Sequence, residues 1–154
     1  PGIDGVVIVT TPQEVALLDS RKSINFAKTV SLPVIGVVEN MSGYSLSGTA
    51  PPESDLTIDG PGGMSIEVST DEDGKWATVL DLFKSGGGQK AAEDLEVPYL
   101  GSIPFDPGIV RGGDDGVHRI VAEPDGVTAK SFVQVVDKVM DIVESGNRTA
   151  VNIR

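Results

Sequence analysis

The feature that most constrains the fold is an apolar run that ends abruptly in a polar, glycine-terminated segment. The run VIGVV at residues 34–38 is followed directly by ENMSG at residues 39–43. A continuous apolar run without alternation is typical of a strand covered on both faces, as in a parallel sheet. Ligands of open parallel sheets bind just beyond the carboxyl ends of the strands. We therefore expect the polar residues after Val38 to lie at that edge.

The preceding segment predicts the strand and helix that lead into this run. Residues 5–10 (GVVIVT) form a second short apolar run. Thr11 is placed to cap a helix, Pro12 suits the first helical position, and Glu14 completes a capping box. We expect this helix to run to about Thr29 and to bury one face.

The composition changes between residue 44 and about residue 83, which predicts an insertion in the α/β pattern. The stretch 43–63 is rich in Ser, Pro, Gly and Thr and is expected to be a loop. Residues 65–69 and 75–80 flank the turn signal DEDG and are predicted to pair as a β-hairpin.

The remainder of the chain returns to the α/β pattern. Residues 97–104 predict a third strand, and residues 124–144 contain an amphipathic closing helix. The predicted fold is a three-layer α/β domain with a mostly parallel sheet flanked by helices. We expect one domain over residues 1–146, interrupted by the insertion, and a tail at residues 147–154.

Composition excludes several classes of function. The formal net charge is −11 without a basic stripe, which argues against a nucleic-acid or membrane partner. The sequence contains no cysteine, so disulfides and thiolate metal sites are excluded. No apolar run is long enough to cross a membrane, and no signal peptide is visible. We expect a cytoplasmic protein.

Asn40 is the candidate for ligand recognition. An amide at the carboxyl end of a central strand offers a donor and an acceptor together, which suits the edge of a nucleotide base. Residues 103–107 (IPFDP), at the exit of the third strand, would add backbone groups and an apolar wall. A turn-forming role for Asn40 is the alternative, and both remain open.

A glycine segment, SGGGQK at residues 85–90, has two interpretations. It lacks the first glycine of a Walker loop and the Lys-Ser/Thr pair that reaches phosphate and magnesium. A glycine-rich helix N-terminus can bind anions. A glycine hinge that closes the insertion is the favoured interpretation, with anion binding as the alternative.

Several stretches occur in an order and spacing that resemble one protein family. They are VIVTTPQEVALLD at residues 7–19, GVVENMSG at 36–43, DLF at 81–83, GGG at 86–88, VPYLGSIPFDP at 97–107 and VAEPD at 121–125. The sequence resembles the Mrp/Nbp35/ApbC-type iron–sulfur cluster carrier ATPases, in the MinD-like branch of P-loop proteins. The resemblance covers nearly all of the chain but only the C-terminal half of the family's domain.

This resemblance implies a site for ATP or ADP with magnesium, a homodimer, and iron–sulfur proteins as clients. It also assigns roles to the positions that match the family's motifs. The matching positions are Asn40 for the adenine; Pro104, Phe105 and Asp106 for the wall of the base pocket; and Gln13 and Asp19 for weaker contacts near the nucleotide and the dimer interface.

Two departures from the family pattern bear on function. The family's glycine-rich phosphate loop, with its two lysines, and its magnesium-binding acids do not occur in this sequence, so we do not expect hydrolysis by this chain alone. The family's CxxC cluster motif falls where this sequence has Ser45 and Ser47. Because serine hydroxyls are poor cluster ligands, this argues against a cluster on the chain, although serines that replace cysteines stay an open alternative.

The expected function is the C-terminal half of an ATP-binding iron–sulfur cluster carrier or assembly protein, supplying the base side of the site. The alternative is a non-catalytic binding or scaffold module of the same fold, without ATPase activity or cluster. A positioning ATPase of the MinD type is disfavoured because the closing helix is not a basic membrane-targeting helix. A half domain should also leave open sheet edges, to be covered by dimerisation or by the rest of a longer chain.

Overall fold

The computed structural model describes residues 3–83 and 85–146 of the chain. Their contacts divide them into two compact units. The described residues up to Gly43 and from Asp81 onward form the first unit, and Tyr44–Leu80 form the second. The tail expected at residues 147–154 lies outside the described residues.

The helices and strands alternate in the first unit, whereas the second unit is built from strands. In chain order the elements are β1 (Val6–Thr10), α1 (Glu14–Thr29), β2 (Val34–Thr49), β3 (Asp55–Asp59), β4 (Ser65–Ser69), β5 (Lys75–Leu80), α2 (Gly87–Asp94), β6 (Tyr99–Phe105), α3 (Pro107–Asp115), α4 (Arg119–Ala122) and α5 (Val127–Glu144), with a 3₁₀ turn at Pro61–Gly63.

β2 is the central strand of the first unit's sheet. It pairs in parallel with β1, so that Thr10 lies opposite Glu39, and it also pairs with β6. The N–H of Val37 donates to the Pro98 carbonyl at 2.9 Å, at the start of β6. The mostly parallel sheet predicted from the uninterrupted apolar run is confirmed.

The two faces of β2 carry two separate cores. Val34 and Val37 pack with residues of α1 and α2, which are Ile24, Ala27 and Ala92, and with Val97. Their neighbours Ile35 and Val38 pack with Leu100, Ile103 and Val135, the last of these from α5. The adjacent residues Val37 and Val38 point to opposite faces, so helices cover the sheet on both sides. The register irregularity between Val6 and Val7 lies opposite Val34 and Gly36 and interrupts this alternation earlier in the strand. The predicted three-layer architecture is confirmed.

Helix α1 ends at Thr29, as predicted, but it begins later than the capping pattern indicates. Its first residue is Glu14, and the N-cap residue is Gln13, which makes no side-chain capping hydrogen bond. The hydroxyl of Thr11 donates to the side-chain oxygen of Gln13 instead. The predicted capping box is therefore wrong.

The segment expected to be a loop, residues 43–63, is largely extended. β2 continues to Thr49, and β3 follows at Asp55–Asp59. β3 pairs antiparallel with β4, with Thr57 opposite Glu67. An inserted hairpin is therefore present, but β3 and β4 form it.

The predicted pairing of residues 65–69 with 75–80 is wrong. β5 pairs antiparallel with the end of β2, where Trp76 lies opposite Gly48 and Leu80 opposite Tyr44. A Cβ at position 48 would come within 2.7 Å of the Trp76 ring, so the glycine lets the indole pack on the strand. The DEDG turn does form, since Gly74 N–H donates to the Asp71 carbonyl at 2.9 Å.

None of the helices within residues 3–83 and 85–146 is long and apolar enough to cross a membrane.

The buried face of α1 can be tested by substitution. Ile24 is fully buried against β2, so Ile24→Ala should lower the free energy of unfolding by about 3 kcal/mol. Phe26, on the same helix, is 67% exposed, so Phe26→Ala should change it by less than about 0.5 kcal/mol. Urea denaturation of both variants provides the measurement, and equal losses would contradict this packing.

Candidate functional site

Asn40 lies where β2 departs from regular extended geometry. Met41 has a φ of 57° and Gly43 a φ of 77°, in the left-handed region that residues with side chains rarely adopt. The Asn40 Oδ1 accepts a hydrogen bond from the Met41 N–H at 2.9 Å, which stabilises this bend. The amide oxygen is thus committed to the chain, and this bond orients the side-chain amide.

Asn40 shares a groove with the carboxyl end of β1 and the first half of α1. The groove has a volume of about 490 Å³. Its lining residues are Val7, Ile8, Val9, Thr10, Thr11, Ala16, Asp19, Ser20, Ser23 and Asn40. The structure therefore brings together two of the predicted site residues, Asn40 and Asp19.

Among the residues that the structure describes, the Asp19 carboxylate is held only by an exposed contact. Its Oδ1 accepts from Lys22 Nζ at 3.0 Å, and both side chains are largely exposed. Exposed ion pairs of this kind contribute little to stability. Asp19 can therefore turn toward a ligand in the groove at little energetic cost.

Gln13 lies in a different depression. That groove is also about 490 Å³ in volume and is lined by Gln13, Glu14, Asp81, Leu82 and Phe83. The structure does not bring Gln13 into the groove that contains Asn40, and its role at a nucleotide stays a prediction.

The predicted base-pocket residues lie at the end of β6. Pro104 is buried and Phe105 is half-buried, and both belong to the strand. Asp106 follows as the N-cap of α3, where its Oδ1 accepts from the Gly108 N–H at 2.7 Å. Whether these residues line a base pocket stays a prediction.

The Asp106 carboxylate is the centre of a network that joins three helices. Its Oδ2 accepts from Arg119 Nε and from Thr128 Oγ1, each at 2.8 Å. Arg119 also pairs with Glu123 at 2.5 Å. This carboxylate therefore fastens α3, α4 and α5 together, so a ligand beside it would meet backbone groups rather than a free carboxylate.

The same network shifts the pKa of both partners. Burial raises the pKa of Asp106, but hydrogen bonds from Arg119, Thr128 and Gly108 and the Arg119 charge outweigh burial, so the pKa falls below 3.8. The hydrogen bond to Asp106 is the main cause that raises the pKa of Arg119. The pair is therefore ionised throughout the neutral range.

Glu39 is a buried residue that motif analysis does not single out. Its side chain is 0% exposed. Oε1 accepts from Ser42 Oγ at 2.5 Å and from Gly86 N–H at 3.1 Å, and Oε2 accepts from Gly88 N–H at 2.5 Å. The glycine segment thus presents its N–H groups to an internal carboxylate. The signal in the sequence is a charged residue that ends an otherwise apolar strand, because such a residue requires buried donors.

The residues at the family's cluster position lie in the second unit. Ser45 and Ser47 are on β2, opposite Val79 and Ala77 of β5. Within the described ranges, no group of three or more His, Cys, Asp and Glu side chains is arranged to hold a metal ion. With no cysteine in the sequence, the donor set does not fit an iron–sulfur cluster.

The chain matches a family model and several curated proteins. The model of the ParA-type NUBPL iron-transfer P-loop NTPases matches residues 2–59 and 63–140. The chain is 40% identical over 145 residues to an iron-sulfur cluster carrier protein of Saccharolobus solfataricus, and 35% identical over 144 residues to one of Methanocaldococcus jannaschii. Each match covers 94% of this chain, which spans 40% of the relative's length.

Two solved structures share the fold. One is the cell division ATPase MinD of Pyrococcus furiosus, with a TM-score of 0.56, 22% identity, and coverage of 90% of this chain and 43% of the other. The second is the septum site-determining protein MinD of Pyrococcus horikoshii, solved with Mg-ADP, with a TM-score of 0.53, 21% identity, and coverage of 91% and 44%.

The Asp106 network predicts a loss of stability in acid. Because the folded-state pKa of Asp106 is depressed, its contribution is present above the unfolded-state pKa and is lost as pH falls through the folded-state pKa. Asp106→Asn should lower the free energy of unfolding by about 2 kcal/mol at pH 7 and flatten its pH dependence below about pH 4.

The matched control for that variant is Asp94→Asn. Asp94 pairs with Arg21 at 3.0 Å with about half of its side chain exposed, so the change should be small. Chemical denaturation between pH 2 and pH 7 (roughly the range over which carboxylates titrate) provides the measurement. Parallel pH profiles for Asp106→Asn and the parent chain would refute the assigned network.

Proposed function

Because the chain belongs to the NUBPL-type family of iron-transfer P-loop NTPases, we propose that it supplies the nucleotide-base side of an ATP-binding site in an iron–sulfur cluster carrier or assembly protein. The observation that carries this proposal is the groove in which Asn40 and Asp19 meet, at the carboxyl end of β1 and beside the point where the parallel pairing of β2 with β1 ends. In this proposal the chain is the C-terminal half of the family's ATPase domain.

Asn40 is the proposed base contact. Its Oδ1 is held by the Met41 N–H, so the Nδ2 group would donate to a ring nitrogen of adenine. Pro104 and Phe105 do not line the groove around Asn40; in this proposal they contribute backbone groups and apolar surface to the base pocket from the end of β6. Gln13 and Asp19 would make weaker contacts with the nucleotide or with a second subunit.

The phosphates would be held by a different segment of polypeptide. The Gly86 and Gly88 N–H groups, which would suit an anion, already donate to Glu39. In this proposal, the base of ATP or ADP binds to this chain, and its phosphates and magnesium bind to a different segment. Iron–sulfur proteins are the clients of the assembled carrier.

A non-catalytic scaffold module of the same fold is the second candidate. The observation that favours it is the absence of cysteine from the sequence, since a cluster carrier needs soft ligands. A module of this kind has the α/β fold and binds a protein partner, but it neither hydrolyses ATP nor carries an iron–sulfur cluster.

Calorimetric titration with ATP and ADP, with and without magnesium, tests the first candidate. We expect weak binding that does not depend on magnesium, because no phosphate loop is in this sequence. Asn40→Ala should weaken it by about tenfold, as expected for loss of one well-oriented hydrogen bond. Asn25→Ala, at an exposed position of α1, should bind like the parent chain.

The outcomes separate the two candidates. Equal binding by Asn40→Ala and the parent would remove the assigned base contact. No heat with any nucleotide would favour the scaffold module. Tight binding that requires magnesium would refute the proposal that the phosphate side lies elsewhere.

We further propose that the chain forms a homodimer through the free edge of β1. Within the described residues β1 pairs only with β2, and Val9 on it is 61% exposed. Unpaired edges with apolar side chains promote association, and charged residues suppress it. Val9→Lys should therefore shift the chain toward monomer in sedimentation velocity.

Val110→Lys is the control for the edge. Val110 is 62% exposed on α3, away from β1, so its replacement should leave the association unchanged. A parent chain that stays monomeric at all concentrations, or equal effects of the two lysines, would contradict association through β1.

A further inference from the structure

Within the first unit, a single side chain contacts one segment that precedes the insertion and one segment that follows it. The chain leaves the first unit after Gly43 and returns at Asp81. On the outgoing side, Ser42 Oγ donates to Glu39 Oε1; on the returning side, the Gly86 and Gly88 N–H groups donate to the two oxygens of Glu39. We call these four residues, Glu39, Ser42, Gly86 and Gly88, the carboxylate clamp.

Within the clamp, the other three residues fit the side chain of Glu39 closely. Glu39 is fully buried, and its acceptor atoms are met by three donors, which a buried carboxylate requires. A Cβ at position 88 would lie 2.9 Å from the Glu39 Cβ and 3.1 Å from its Oε2, so only glycine allows this approach. Gly86 has a φ of 79°, which also favours glycine. The buried glutamate and the two glycines, which follow it by 47 and 49 residues, therefore fit each other in space and in hydrogen bonding.

The clamp adjoins the proposed base contact. Glu39 precedes Asn40 directly, and Thr10, which lines the groove, lies opposite Glu39 in the β1–β2 ladder. The bend at Met41 separates Asn40 from Ser42, which is itself held by Glu39. The backbone on both sides of the Asn40 amide is therefore fixed through one carboxylate.

We propose that Glu39 is a positioning residue, which orients the Asn40 amide for a nucleotide base and couples ligand binding in the groove to closure of the chain segments at Ser42, Gly86 and Gly88. This inference rests on the proposed function. Coupling of this kind is reciprocal, so a base bound at Asn40 tightens the clamp, and loosening the clamp weakens base binding by the same factor.

The first measurement needs no ligand. Amide hydrogen exchange by NMR should show that Glu39→Gln accelerates exchange at Gly86 and Gly88 by about tenfold or more, since an amide group replaces one acceptor oxygen of a charged hydrogen-bond partner. Ser42→Ala removes one of the two donors to Oε1, the oxygen that also accepts from Gly86. It should accelerate exchange at Gly86 by a smaller factor than Glu39→Gln does, so it keeps the test informative if Glu39→Gln does not fold.

The second measurement compares ADP with GDP by calorimetry. Glu39→Gln should weaken ADP binding by about tenfold and bring the ratio of the two affinities close to one, because a misplaced Asn40 amide no longer selects a base. Val135→Ala is the matched control: it removes core volume from the α5 side of β2, in a different cluster from the one that contains α2. It should lower thermal stability without changing the ADP-to-GDP ratio.

The outcomes distinguish this inference from the proposed function. Unchanged exchange at Gly86 and Gly88 in both clamp variants overturns the clamp, whatever the chain binds. If exchange is accelerated in the clamp variants but the parent chain binds neither nucleotide, the proposed function and the positioning role are overturned. The hydrogen bonds of Glu39 to the two segments are then still supported. If Val135→Ala and Glu39→Gln change the ratio of ADP to GDP affinity equally, Glu39 has only a structural role, and the positioning role is overturned.

Discussion

The burial of one carboxylate at the end of the central strand determines much of the local architecture. Glu39 is out of reach of water, and a buried charge is tolerated only where donors surround it. Its donors come from the next turn of its own chain and from the start of α2. The beginning of α2 is therefore positioned against β2, which places Ala92 in the core beside Val34 and Val37. The same carboxylate takes the place that an external anion would occupy at a glycine-rich helix start.

The elements that the sequence predicts well are those specified by local patterns. β2 and β1 are uninterrupted apolar runs, and the buried face of α1 repeats at Leu17, Ile24 and Ala27. The insertion was harder to predict because its pairing is not local: β5 joins the extension of β2, some thirty residues earlier in the chain, rather than β4 across the adjacent turn. Ser45, Ser47 and Gly48 are not strand formers, so they weaken the local strand signal of Tyr44 and Thr49.

The residues of the candidate site also differ in how far the sequence predicts them. The position of Asn40 follows from the general rule for strand ends, whereas the roles of Asp19, Gln13 and Asp106 come from family resemblance. The groove unites Asn40 with Asp19, but Gln13 lies elsewhere. Asp106 holds three donors of its own chain, which no sequence pattern reveals because its partners lie up to 22 residues away.

In the proposed function, base contacts and phosphate contacts lie on different segments of polypeptide, and this separation has an energetic consequence. One neutral hydrogen bond from Asn40 contributes about 1 kcal/mol, far less than the charge-assisted bonds that a phosphate loop supplies. The base side alone therefore gives weak binding of the nucleotide. Strong binding requires the base side and the phosphate side to be held close together, so that each has a high effective concentration relative to the other. A nucleotide then acts as a link whose affinity reports whether the two sides are assembled. A carboxylate that fixes the Asn40 backbone raises the contribution of this chain by lowering the conformational entropy lost on binding.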